Sequence, residues 1–182
     1  MFTPPPIVTP EPPPVIGTPA TGVSPVSATQ VSAQATTAIT QQLTAARDFC
    51  GRITDADYVV DCLASEVEVL ASQMADRGDY APARAELEQA SRSLAQLAEA
   101  NRNTSKPAAR ARRAGTQPRT SARELTPTRS ESLGSVLEQA AGILEEVETT
   151  LLRASQRAEE RRVHFERIAE AVGSNKVLLR SL

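Results

Sequence analysis

Aromatic residues are scarce in this sequence of 182 residues, which has three Phe, two Tyr and no Trp. A sheet buries aromatic and β-branched side chains on its inward faces, so this scarcity argues against all-β and α/β folds. Alanine, the residue with the highest helix propensity, occurs 29 times. The composition therefore predicts an all-α protein.

Histidine and cysteine are rare as well: the chain has one histidine, His164, and two cysteines, Cys50 and Cys62. With so few histidine and cysteine ligands, a structural zinc site and a histidine-based metal cluster are not expected. His164 is the one candidate general base at neutral pH, and no glycine-rich turn, nucleophile elbow or phosphate loop accompanies it. We therefore expect a surface histidine in a protein that is not an enzyme and uses no cofactor, metal or small-molecule substrate.

Long apolar runs are also missing, and no segment approaches the ~18–20 apolar residues of a membrane span. The first residues lack the basic and apolar regions of a signal peptide. These observations leave two expectations for localisation. The protein is either periplasmic or secreted, with its export signal absent from this chain, or it is cytoplasmic.

Acidic and basic residues are unevenly distributed, although the net charge is only −2. Residues 47–101 carry five Arg and eleven acidic residues, whereas residues 102–129 carry eight basic residues against Glu124. The overall acidic balance argues against nucleic acid as a dedicated partner, while the basic block keeps a local anionic partner open.

Composition divides the chain into four parts. Residues 1–30 are rich in proline and are predicted to be disordered. Residues 102–130 hold proline, serine, threonine and basic residues with few large apolar ones, which predicts a disordered basic linker or a segment lying along a surface. Residues 31–101 and 131–182 have helical patterns and are predicted to pack on each other as one domain.

Three helices are predicted in the first helical part. The first covers about 35–50, and the second runs from Thr54 or Asp55 to near Arg77, with Gly78 as its left-handed terminator. Asp79 is predicted to cap the third helix. The second and third helices then form an antiparallel hairpin within a three- or four-helix antiparallel bundle, and their apolar spacing is typical of coiled-coil-like packing.

The second helical part is predicted to be one long amphipathic helix with an apolar tail at 177–182. Its apolar seam keeps an unbroken 4-3 spacing from Leu133 to Val172, about 60 Å, unless the helix bends at Gly142. The hairpin helices are shorter, so the far part of this seam lacks an obvious cover. We therefore predict an interface for a protein partner or for self-association, formed by Ala158, Phe165, Ile168 and Val172. The alternative is that the first helix and the tail cover it.

Cys50 and Cys62 lie where a helical hairpin brings them together, which favours a disulfide and an oxidising compartment over two reduced, buried thiols. The basic linker offers a second candidate site, a set of arginines formed by Arg110, Arg112, Arg113, Arg119 and Arg123. This set predicts an alternative function as a binder of an anionic polymer or surface, such as nucleic acid or lipid headgroups. Its other interpretation is a solvated linker that leans on the acidic second and third helices.

Three segments resemble an exported α-helical family of Gram-negative bacteria that has no assigned activity: YVVDCLASEVEVLA (58–71), GDYAPAR (78–84) and VGSNKVLLRSL (172–182). The run GDYAPARAELEQA also resembles the turn and second helix of a tetratricopeptide repeat, although a second copy is missing. The family resemblance implies an exported helical protein. Our expectation is a non-enzymatic interaction or scaffold protein of the bacterial cell envelope.

Overall fold

The computed structural model describes residues 24–114, 118–157 and 159–182 of the chain. Five α-helices and a two-stranded antiparallel sheet lie in these ranges, together with three single turns of 3₁₀ helix. In chain order the elements are α1 (Ala33–Cys50), α2 (Val59–Gln73), α3 (Ala81–Ala100), β1 (Arg112–Arg113), β2 (Arg119–Thr120), α4 (Leu133–Ser155) and α5 (Glu159–Arg180).

The helices form a closed ring in which each packs against the next and α5 packs against α1. Successive helices are antiparallel, so the fifth helix must run parallel to the first. Contacts near both ends confirm this direction, because Thr36 bonds His164 and the backbone of Leu43 bonds Asn175. The prediction of an all-α fold is confirmed, with five helices in the described part of the chain rather than three or four.

The long helix predicted from Leu133 to Val172 is two helices, and this prediction is wrong. Helix α4 ends at Ser155 and α5 begins at Glu159, whereas Gly142 lies exposed within α4. The break falls in a polar run without proline or glycine, so no strong local signal marks it. Folding α5 back on α4 and α1 buries the apolar face of α5. The free energy gained by that burial outweighs the weak preference of the turn residues for continuing the helix.

The predicted partner interface is part of this buried face, which corrects the expectation of an uncovered seam. Phe165, Ile168 and Val172 are each at most 1% exposed and belong to the single core cluster. Ala158 lies outside the described residues. The first helix covers the seam, as one part of the alternative interpretation held, because α5 packs along α1 rather than extending beyond α4.

The turn between α2 and α3 requires a glycine at position 78. Gly78 has φ +87°, and a Cβ there would lie 2.1 Å from the carbonyl oxygen of Thr29. Helix α2 ends at Gln73, four residues before the predicted end. Asp79 does not cap α3: its carboxylate accepts the backbone N–H of Val31 and ties the segment before α1 to this turn.

Residues 102–130 are named here the basic strap, and their described parts, 102–114 and 118–130, pair as two antiparallel arms on the bundle surface. Backbone pairing runs from Arg102 with Thr128, through Ala109 with Leu125, to β1 with β2. Leu125 is fully buried in the core, and both the N–H and the hydroxyl of Thr128 donate to the carbonyl of Asp57. The prediction of a disordered linker is wrong for the described residues, because these contacts satisfy the backbone and anchor the segment.

Candidate functional site

Three basic side chains of the strap bind the acidic residues that begin and line α2. Lys106 binds Asp55 and Asp57, Arg119 binds Glu66, and Arg123 binds Asp61. Part of the basic block therefore pairs with part of the acidic block within the chain, as the interpretation of a linker leaning on acidic helices suggested.

Asp61 is the most completely enclosed of these acids, with a side chain 2% exposed. Its two carboxylate oxygens accept the two terminal nitrogens of Arg123 at 2.6 and 2.7 Å, and one also accepts the N–H of Thr126 at 2.7 Å. This paired hydrogen bonding raises the pKa of Arg123 above its ordinary value. The geometry is the two-point pairing that makes arginine suited to buried carboxylates.

Two other acids of this contact, Asp55 and Glu66, have pKa shifts in opposite directions. The hydrogen bond from Lys106 lowers the pKa of Asp55, while burial raises the pKa of Glu66 despite its contact with Arg119. Arg119 also stacks on the ring of Phe49, with its guanidinium carbon 5.1 Å from the ring centroid. The strap thus fixes both α2 and the end of α1.

Cys50 and Cys62 lie at disulfide distance, with sulphur atoms 1.98 Å apart and both side chains buried. Cys50 is the last residue of α1, and Cys62 lies in the first turn of α2. A cross-link over 12 residues contributes about 3 kcal/mol by restricting the unfolded chain. It holds the end of α1 against the helix that carries the acidic residues.

The five predicted anion-binding arginines fall into two groups. Arg119 and Arg123 are half-buried, and each is paired with a carboxylate of α2, Glu66 and Asp61 respectively. Arg110 donates to two backbone carbonyls of the strap and pairs with no carboxylate in the described part of the chain, and Arg112 is exposed on β1. Arg113 is half-buried beside it.

Arg52, in the turn after α1, joins Arg112 and Arg113 at one end of the bundle. Together they surround a cavity of about 240 Å³, named here the arginine cleft, whose other lining residues are Phe49, Ile53, Thr54 and Ala111. The sequence reasoning missed Arg52, Phe49 and Ile53. The one feature of the sequence that could have indicated these three residues is that they lie close to Cys50. A disulfide at the end of a helix fixes the position of the turn that follows.

A second, more open hollow of about 460 Å³ adjoins the cleft, and Arg52 lines both. Here Arg47 and Arg52 flank Leu178 and Val177, and Val177 is 61% exposed. Asp48 pairs with Arg47 at 2.9 Å, so Arg52 is the arginine in this hollow that no described carboxylate neutralises. The surface made by the cleft and the hollow is named here the arginine end.

His164 lies at the opposite end of the bundle, half-buried rather than on an open surface. Its Nδ1 is 2.7 Å from the hydroxyl of Thr36, which is also 2.7 Å from the hydroxyl of Tyr80. Tyr80 in turn donates to the carbonyl of Ser32. This chain of hydrogen bonds ties α1, α3 and α5 together, so the contacts of His164 are structural.

In the described ranges no group of three or more His, Cys, Asp or Glu side chains is arranged to hold a metal ion. Of the helices described, none has the length and apolarity that crossing a membrane requires. No family model matches the chain, and no curated protein or solved structure matches it.

Proposed function

We propose that this protein is a non-enzymatic interaction module of the bacterial cell envelope that holds an anionic lipid surface at its arginine end. The observation that carries the proposal is that arginines without a described carboxylate partner lie beside the exposed apolar side chain of Val177. Arg52 and Arg112 have no carboxylate partner among the described residues, and Val177 projects beside Arg52.

A lipid surface matches both properties, because its headgroups are anionic and its interior is apolar. Nucleic acid matches less well, since single-stranded binding uses exposed aromatic rings for stacking and Phe49 is buried under Arg119. Self-association through α5 has lost its support, because Phe165, Ile168 and Val172 are in the core.

Vesicle co-sedimentation tests this function with the full chain. Phosphatidylglycerol vesicles should retain the protein at low salt and release it as salt rises, whereas phosphatidylcholine vesicles should not retain it. The double variant Arg52→Gln/Arg112→Gln should reduce retention at least about tenfold. Equal retention by both vesicle types would contradict the proposal.

A charge-matched control uses two exposed arginines away from this end, Arg77 and Arg153. Arg77→Gln/Arg153→Gln changes the net charge by the same amount as Arg52→Gln/Arg112→Gln and should leave retention unchanged. A similar loss in both variants would mean that net charge alone, rather than the arginine end, controls the interaction.

The disulfide-distance pair Cys50 and Cys62 supports a periplasmic or secreted location, because structural disulfides persist in oxidising compartments. Mass analysis of protein alkylated under denaturing, non-reducing conditions tests this location in the native cell. We expect no alkylated cysteine before reduction and complete alkylation of both after it. Two alkylated cysteines in the unreduced sample would favour the cytoplasmic alternative.

A further inference from the structure

The arginine cleft has the composition of a binding site for one small ligand. Its three arginines and the hydroxyl-bearing Thr54 line the cavity with Phe49, Ile53 and Ala111, and no carboxylate lines it among the described residues. Arginine donors attract and orient an anionic group, and the apolar residues offer a surface to a hydrocarbon chain.

Phe49 lies behind the apolar wall of the cleft and holds it in place before any ligand arrives. Phe49 is 2% exposed, precedes the disulfide-paired Cys50, and is covered by the guanidinium of Arg119. Arg119 is itself fixed by Glu66. A preorganised wall lowers the entropy cost of binding, because few side chains must be ordered by the ligand.

The volume limits what can enter. At about 240 Å³ the cleft is smaller than the ~300–1,000 Å³ pockets that enclose drug-sized ligands. The cleft is therefore better matched to a single charged head with a short chain than to a nucleotide.

We propose that the arginine cleft binds a single-chain amphiphile with a monoanionic head, the head at Arg52 and Arg112 and the chain against Ile53 and Ala111. This inference rests on the proposed function and deepens it, because it names the chemical group that the arginine end selects. The same chemistry is available from a free fatty acid or from one lipid at a membrane surface.

Titration calorimetry of the full chain with octanoate tests the site. Octanoate should bind at one site per chain, and octanol, octylammonium and acetate should each bind at least about tenfold more weakly. Octanol loses the charge, octylammonium reverses it and acetate lacks the chain. No saturable octanoate binding, or equal binding of any of the three comparison compounds, would overturn the proposal.

Variants locate the ligand within the protein. Arg52→Gln/Arg112→Gln, at two exposed positions, should weaken octanoate binding at least about tenfold. Ala111→Leu, which fills the cleft, should abolish it, while Arg77→Gln should not change it. Circular dichroism confirms the folding of each variant, and unchanged octanoate affinity in the folded double variant would overturn the proposal.

A second measurement separates this inference from the proposed function. Val177→Asp, in the adjoining hollow, should weaken vesicle retention and leave octanoate binding unchanged. If octanoate fails to bind while phosphatidylglycerol vesicles still retain the protein, the cleft inference fails and the function stands. Displacement of the protein from vesicles by octanoate assigns the lipid headgroup as the source, and persistent retention assigns a free amphiphile.

Discussion

Replacing Phe165 with alanine is expected to lower the free energy of unfolding by about 3–5 kcal/mol. The side chain is 1% exposed in the core that α5 shares with the rest of the bundle, so its removal leaves a cavity and loses buried apolar area. Chemical denaturation followed by circular dichroism measures the change. Size-exclusion chromatography should give the same oligomeric state for the parent and the variant.

Val163→Ala provides a matched control on the same helix, because Val163 is 56% exposed. Its effect on the unfolding free energy should stay within about 0.5 kcal/mol. A different outcome would contradict the assignment of Phe165 to the core. If Phe165→Ala leaves the stability unchanged and weakens association between chains, Phe165 is an interface residue.

The apolar seam of residues 133–172 shows what helical periodicity can and cannot predict. It identified the buried positions of both α4 and α5, because the 4-3 spacing reports which side of a helix is apolar. It could not locate the reversal, since residues 156–158 include no proline or glycine and the 4-3 spacing continues through them in the sequence. The partner interface followed from an assumed straight helix, so the error in topology became an error in the predicted interface.

The basic strap was unpredictable for a different reason. Its order depends on contacts between residues far apart in sequence, such as Arg123 with Asp61 and Leu125 with the core. Composition shows that the segment has few large apolar residues, but it does not show whether a single leucine, here Leu125, is buried in the core. The opposite charges of the acidic and basic blocks were visible in the sequence, and their mutual attraction was the signal that favoured an ordered surface segment.

The sequence predicted some of the residues of the arginine end but not all of them. Arg112 and Arg113 were among the predicted anion-binding residues, and the structure keeps Arg112 exposed. Arg119 and Arg123 looked equivalent to them, but their side chains reach carboxylates on α2. Arg52 belongs to a distant segment, and only the folded turn after Cys50 brings it beside β1.

Replacing Arg123 with alanine is the strap's most informative perturbation, with an expected loss of about 3 kcal/mol in the free energy of unfolding. The variant leaves the enclosed carboxylate of Asp61 with only the N–H of Thr126 as a described partner. Exposed ion pairs contribute at most about 1 kcal/mol, so the enclosure of Asp61 decides the size of the effect. Denaturant unfolding measures it, and limited trypsin digestion should show faster cleavage within the strap.

Two further variants separate the cost of an unpaired buried charge from simple loss of contact. Asp61→Leu/Arg123→Leu removes both charges and should be more stable than Arg123→Ala, because an apolar pair needs no hydrogen-bond partner. Arg77→Ala, which breaks an exposed 3.8 Å contact with Asp76, should change stability by less than about 0.5 kcal/mol. Equal stability of Arg123→Ala and Arg77→Ala would show that the Asp61 carboxylate is solvated and that the strap is held by its apolar and backbone contacts alone.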